Sequence, residues 1–99
     1  MAQPARIDAI GISWYRGEDY DRILAIMEDG EKLPLSYGEW LVSAEGVERT
    51  LRQKGLRVLR AHIYPDEFIV WCTERGVSPN AEARTTYSSD FARQITGRD

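Results

Sequence analysis

The chain has few of the residues from which catalytic and metal sites are usually built. It contains one cysteine and one histidine among 99 residues, whereas structural zinc uses four Cys or His ligands and catalytic zinc uses three protein ligands. It has no glycine-rich phosphate loop, serine nucleophile motif or dinucleotide fingerprint. We therefore expect neither a metal nor a cofactor. A single cysteine also cannot build an internal disulfide framework, which favours the reducing cytoplasm.

Long apolar runs are also missing. No segment approaches the roughly 20 apolar residues of a membrane span, and residues 1–10 lack the apolar region and cleavage site of a signal peptide. Apolar residues make up 42% of the chain and charged residues 29%, which is too apolar for intrinsic disorder. The length predicts one globular domain over residues 1–99, with residues 1–5 as a loose leader. We expect no contact with a membrane.

Two segments predict β-strands. Residues 7–14 are rich in isoleucine and predict a strand buried on both faces. In residues 56–64, polar and apolar side chains alternate, so one face is expected to be partly exposed to water. That face carries Val58, Arg60, His62 and Tyr64, and the other carries Leu59, Ala61 and Ile63.

Helical spacing predicts a pair of helices after each strand. The first helix opens with acidic residues and ends at Gly30, and the second begins with the capping-box pair Ser36 and Glu39 and ends at Gly55. The fold class is therefore α+β, in the order strand, helix, helix, strand, helix, helix. A strand that returns after a helical crossover runs parallel to the first. The prediction is a small two-stranded sheet covered by four helices, with the alternative that a second protomer extends the sheet.

The second helix pair gives the sharpest local prediction. Pro65 suits the first turn of a helix, and Gly76 suits the left-handed residue that closes it. Ser78 and Pro79 then predict the N-cap and first residue of the last helix. The aromatic and aliphatic residues on the inward faces predict the core, which we expect to include Trp14, Leu24, Met27, Trp40, Leu41, Leu59, Ile63, Phe68, Trp71, Cys72, Tyr87 and Phe91.

Charge is segregated along the sequence, although the net charge is only −3. Six acids cluster around the first helix, and five cations follow in the stretch Arg49–Arg60. Such runs are usually solvated faces, but their opposition also suits binding of an anionic partner or self-association. Two strands leave two open edges, which favours a symmetric homodimer. The negative net charge makes nucleic acid a less favoured partner.

The candidate binding residues fall into two groups. The first group lies on the partly water-exposed face of the second strand and comprises Arg60, His62 and Tyr64. Arg75 and Arg84 flank the turn between the last two helices, where they could bind an anion together with free helix amides. The favoured interpretation of these two arginines, however, is capping of the third helix and ion pairing with Glu74, Glu82 or Asp66.

Cys72 and His62 are the only candidates for nucleophilic chemistry. A reactive thiolate needs a cationic neighbour or a helix N-terminus, whereas Cys72 falls in the middle of an apolar helix face. A packing role is favoured for Cys72, and a hydrogen-bonded structural role for His62.

The run from Cys72 through Gly76 to Ser78 and Pro79 looks like the turn of bacterial helix-turn-helix repressors. The resemblance implies DNA binding through residues 65–95. It departs at Glu82, where that family has an apolar residue packing on the preceding helix. The residues that would face a DNA groove are Asn80, Arg84 and Thr85.

A longer pattern spans nearly the whole chain. It comprises GISWYR with Tyr20 and Asp21, LPLSYGEW, Phe68-x-x-Trp71-Cys72-x-x-Arg75-Gly76, and Ala83-Arg84. This pattern resembles a family of small bacterial proteins, a domain of unknown function, and implies no activity or site.

The sequence thus favours a non-enzymatic interaction or adaptor domain, because charge is segregated and no catalytic groups converge. A DNA-binding domain is the first alternative. A small enzyme using His62 or Cys72 is the second.

Overall fold

The structure, a computed structural model, describes residues 9–97. The predicted leader and the first two residues of the predicted first strand lie outside this range. Two strands and four α-helices follow the predicted order, so the α+β fold class is confirmed. The elements are β1 (Ala9–Trp14), α1 (Tyr20–Ile26), α2 (Tyr37–Gln53), β2 (Arg57–His62), α3 (Pro65–Arg75) and α4 (Ala81–Thr96), with short 3-10 turns at Gly17–Asp19 and Gly30–Lys32.

The two strands pair in parallel, with Ala9 opposite Arg57 and Trp14 opposite His62. Residues opposite one another project to the same face of a parallel sheet, and successive residues alternate between faces. One face therefore carries Gly11, Ser13, Leu59 and Ala61. The other carries Ile12, Trp14, Arg60 and His62.

Helix α4 covers the first face and lies very close to β1. A Cβ atom added to Gly11 would lie 2.0 Å from the backbone oxygen of Ser88, so only glycine permits this approach. The Ser13 and Ser88 hydroxyls are hydrogen-bonded at 2.9 Å. Small residues at Ala83, Ser88 and Ala92 form the buried stripe of α4, which explains how the helix backbone comes so near the strand.

Helix α2 covers the second face through an aromatic cluster. The rings of Trp14 and Trp40 meet edge to face at 5.2 Å, and Tyr37 stacks on Trp40 at 5.5 Å. Tyr15 and Tyr20 complete the cluster, and the Tyr20 hydroxyl donates to the carbonyl of Pro34 at 2.5 Å. Aromatic burial of this size supplies much of the stability of a small core.

The predicted core is confirmed in part. Trp14, Met27, Trp40, Ile63, Phe68 and Cys72 are buried, whereas Leu24, Leu41, Leu59, Trp71, Tyr87 and Phe91 are half-buried. The expectation that the first strand is buried on both faces is wrong, since Ile10 is 36% exposed. The reason is that α2 packs mainly over β2 on this face, while α4 packs mainly over β1 on the other.

Helix ends match the predictions at Ser36, Gly55, Pro65 and Gly76 and differ from them at two places. Ser36 accepts from the amide of Glu39 as an N-cap, and Gly55 and Gly76 have the positive φ expected after a helix. Helix α1, however, ends at Ile26. Gly30 lies in a buried 3-10 turn, where an added Cβ would meet the carbonyl oxygen of Leu24 at 2.1 Å.

The predicted N-cap of the last helix is also wrong. The cap is Asn80, whose side-chain oxygen accepts from the amide of Ala83 at 3.0 Å, and the helix begins at Ala81. Pro79 lies before the helix, and its carbonyl accepts from the Glu28 amide at 2.8 Å. This long-range bond ties the α3–α4 connection to the segment that follows α1, and the Asn80 cap starts the helix two residues later than predicted. No helix in the described range combines the length and apolarity needed to cross a bilayer.

Candidate interaction surface

The predicted candidates on β2 lie on the face that carries α2. Arg60 donates to both carboxylate oxygens of Glu48, at 2.7 and 2.9 Å. Its guanidinium also lies 3.9 Å from the ring centroid of Trp14. Both contacts fix the Arg60 side chain, so its charge is largely neutralised within the protein.

Glu48 is the partner that organises this end of α2. Only 8% of it is exposed, and it also accepts from Arg52 at 3.3 Å. The hydrogen bond from Arg60, followed by that from Arg52, lowers the pKa of Glu48 from 4.5 to about 2, although burial opposes the shift. Glu48 therefore stays ionised at neutral pH and holds two arginines.

His62 and Tyr64 lie at the carboxyl end of β2. Their rings are nearly parallel, with centroids 6.1 Å apart. The guanidinium of Arg16 lies 4.8 Å from the Tyr64 centroid and donates to Asp19 at 2.7 Å. Tyr64 is 37% exposed and His62 is half-buried, so a partner could reach this end of the strand.

Arg75 and Arg84 do not come together in an anion site. The guanidinium of Arg75 lies 4.5 Å from the ring centroid of Trp71 and donates to Asp90 at 3.3 Å. Arg84 is buried and donates to both oxygens of Asp29, at 2.8 and 2.9 Å. Arg84 belongs to the sheet face covered by α4, and Arg60 to the opposite face.

The prediction that these arginines pair with Glu74, Glu82 or Asp66 is therefore wrong. Their partners, Asp90 for Arg75 and Asp29 for Arg84, lie 15 and 55 positions away in the sequence. Asp29 sits in the connection after α1, where the link from Glu28 to Pro79 brings it near α4. Tyr15 is buried beside the Arg84–Asp29 pair, and burial raises its pKa to about 12.

A groove of about 510 Å³ lies between α3 and α4. Arg75 and Trp71 form one wall, and Asn80 and Glu82 line the other side. The Asn80 side chain is used in capping. Two of the three residues expected to face DNA are thus engaged internally, and Thr85 is the exposed one. DNA binding stays a prediction.

The thiol of Cys72 lies in the core, with 2% of the residue exposed, and burial raises its pKa. A thiol in this environment is protonated and shielded, which favours the packing role. Within residues 9–97, no three His, Cys, Asp or Glu side chains are grouped so as to hold a metal ion.

The basic stretch has two kinds of cation. Arg52 and Arg60 pair with Glu48, whereas Arg49, Lys54 and Arg57 enter none of the ion pairs formed within the described range. All three are exposed. They lie at the end of α2, in the following turn and at the start of β2. We call Arg49, Lys54 and Arg57 the basic surface.

The basic surface borders an open strand edge. The amide of Ile63 donates to the carbonyl of Trp14, so the backbone groups of the odd-numbered residues of β2 point towards β1. The backbone N–H and C=O groups of Val58, Arg60 and His62 point away from β1. In the part of the chain that the structure describes, they have no backbone partner.

Sequence reasoning found the candidate cations but missed their partners. A signal for Glu48 existed, because it falls on the apolar face of α2 and precedes Arg52 by one turn. Asp29 gave no such signal.

Comparison with protein-family models, curated sequences and solved structures finds no match for this chain.

Proposed function

We propose that the protein is a non-enzymatic interaction domain that binds an acidic polypeptide segment at the basic surface. The observation that supports this most is the presence, beside an open strand edge, of three exposed cations that have no carboxylate partner within residues 9–97. Most other arginines of the described range are in ion pairs. Charges left unneutralised at one place favour electrostatic recognition of a partner.

The strand edge supplies the second part of the proposed binding mode. An extended segment can add to an exposed edge, where main-chain hydrogen bonds give affinity and alternate side chains give selectivity. Acidic side chains in such a segment would meet Arg57 and Lys54. The compartment proposed for this activity is the cytoplasm, consistent with Cys72 as a free thiol.

A titration followed by amide chemical shifts tests the proposal. The probe is an eight-residue peptide of alternating Glu and Val, with the Lys-Val peptide as control. The acidic peptide should shift the amides of Val58, Arg60 and His62, and added salt should weaken the effect. Absence of these shifts at low salt, or equal shifts with the Lys-Val peptide, would overturn the proposal.

Two matched variants locate the binding surface. Lys54→Glu should weaken acidic-peptide binding about tenfold or more, since it replaces attraction by repulsion. Lys32→Glu makes the same chemical change at another exposed lysine that is in no described ion pair. It should have a much smaller effect. Equal losses in the two variants would mean that only net charge matters.

A further inference from the structure

We infer that the acidic residues that meet the basic surface belong to a second copy of this chain: two β2 strands pair antiparallel around a two-fold axis, and the acidic starts of α1 and α3 of each copy lie beside the basic surface of the other. This inference rests on the proposed function, because it uses the same surface and the same strand edge. It adds the identity of the partner and the geometry of the contact.

The charged residues near the two ends of β2 differ in sign. Its amino end carries the basic surface together with Arg52 and Arg60, five cations against the two carboxylates Glu45 and Glu48. Helix α3 begins soon after its carboxyl end, and the Arg22–Asp66 ion pair at 2.5 Å joins α1 to the start of α3. That end carries five carboxylates against two arginines, namely Glu18, Asp19, Asp21, Asp66 and Glu67 against Arg16 and Arg22.

This polarity makes the edge self-complementary in one orientation only. Antiparallel pairing places the basic end of each copy beside the acidic end of the other, and a two-fold axis repeats this contact twice. Parallel pairing would set like charges together. Antiparallel pairing also turns two two-stranded sheets, each marginal in size, into one four-stranded sheet. A specific contact of this kind buries roughly 800 Å² per subunit.

Sedimentation of the whole chain at micromolar concentrations tests the inference, with two charge-reversed variants. The basic-end variant is Lys54→Glu with Arg57→Glu, and the acidic-end variant is Asp21→Lys with Glu67→Lys. These four residues are in none of the ion pairs described, so the fold should persist. Each variant alone should dimerise at least about tenfold more weakly than the wild type.

Mixing the two variants gives the decisive readout. In the mixed dimer the reversed ends face each other with opposite charge, so association should return to near the wild-type level. A folding defect cannot be rescued in this way. Failure of the mixture to associate, when the wild type does, would overturn the antiparallel arrangement.

Amide exchange and one backbone variant identify the edge. Dimer formation should slow exchange at Val58, Arg60 and His62, and His62→Pro should abolish dimerisation, because the lost N–H points away from β1. Slower exchange at Gly11 and Ser13 instead would place the contact at β1 and overturn the inference. A wild type that stays monomeric to about a hundred micromolar at low salt would do the same. If that monomer still binds the Glu-Val peptide, the proposed function stands without the dimer.

Discussion

Arg84 and Asp29, 55 positions apart in sequence, form a bidentate ion pair with N–O distances of 2.8 and 2.9 Å. Their side chains are 10% and 19% exposed, so both charges are largely withdrawn from water. The pair joins α4 to the connection after α1, and the hydrogen bond from Arg84 lowers the pKa of the Asp29 carboxyl. An arginine that sequence alone suggests as a ligand-binding group therefore holds the fold together.

Removal of one partner from this pair should be costly. Arg84→Ala leaves a buried carboxylate without its cation and should lower the free energy of unfolding by about 3–5 kcal/mol. Urea denaturation measures the loss. Arg22→Ala removes an arginine from an ion pair whose side chains are 57% and 82% exposed, and should cost less than about 1 kcal/mol. Similar losses for both variants would contradict the importance of burial.

Acid should weaken the α2–β2 contact through Glu48. Its folded-state pKa of about 2 lies below its ordinary value of 4.5, so its contribution is fully present above pH 4.5. The contribution is lost as the pH falls from there towards about 2. Unfolding by urea at several pH values should show this loss, and Glu48→Gln should reduce it while destabilising the protein at pH 7.

The matched control for that experiment is Glu45→Gln, which alters an exposed glutamate on the same helix that is in no ion pair of the described range. It should retain the wild-type acid dependence. The same acid dependence in the Glu48→Gln variant would show that Glu48 does not cause it.

Two glycines should respond to alanine in opposite directions. Gly11→Ala drives a methyl group into the backbone of Ser88, so α4 must shift and stability should fall by about 1–3 kcal/mol. Gly46→Ala, in the middle of α2, meets only the end of the Arg49 side chain at 3.9 Å. It should stabilise the protein by about 0.8–1 kcal/mol. Thermal unfolding compares the two, and a stabilising Gly11→Ala would refute the close approach of α4.

Cys72 should react slowly with a thiol reagent in native protein and rapidly in denaturant. Burial both shields the sulfur and raises its pKa, and only the thiolate is nucleophilic. The measurement is the rate of colour release from an aromatic disulfide at pH 8. Equal rates in the two conditions would disprove the packing assignment.

Local signals in the sequence determined most of the secondary structure. The Ser36 cap, the Pro65 start and the glycine stop at Gly76 depend on residues within one or two helical turns, so their physics is readable from neighbours. Alternation in residues 56–64 likewise assigned Arg60 and His62 to one face of β2. The last N-cap was mispredicted because Ser78 and Asn80 are both good N-cap residues, and local preference does not rank them; in the structure the cap is Asn80.

Only the tertiary structure decided which arginines remain available to bind a partner. The sequence presents Arg49, Arg57, Arg60 and Arg84 as similar candidates, since a guanidinium has the same chemistry at each position. Folding pairs Arg60 with Glu48 and Arg84 with Asp29, and it leaves Arg49 and Arg57 without a carboxylate partner within residues 9–97, beside an open strand edge. Ion pairing depends on distance in space and on burial, and neither quantity can be read from spacing along the chain.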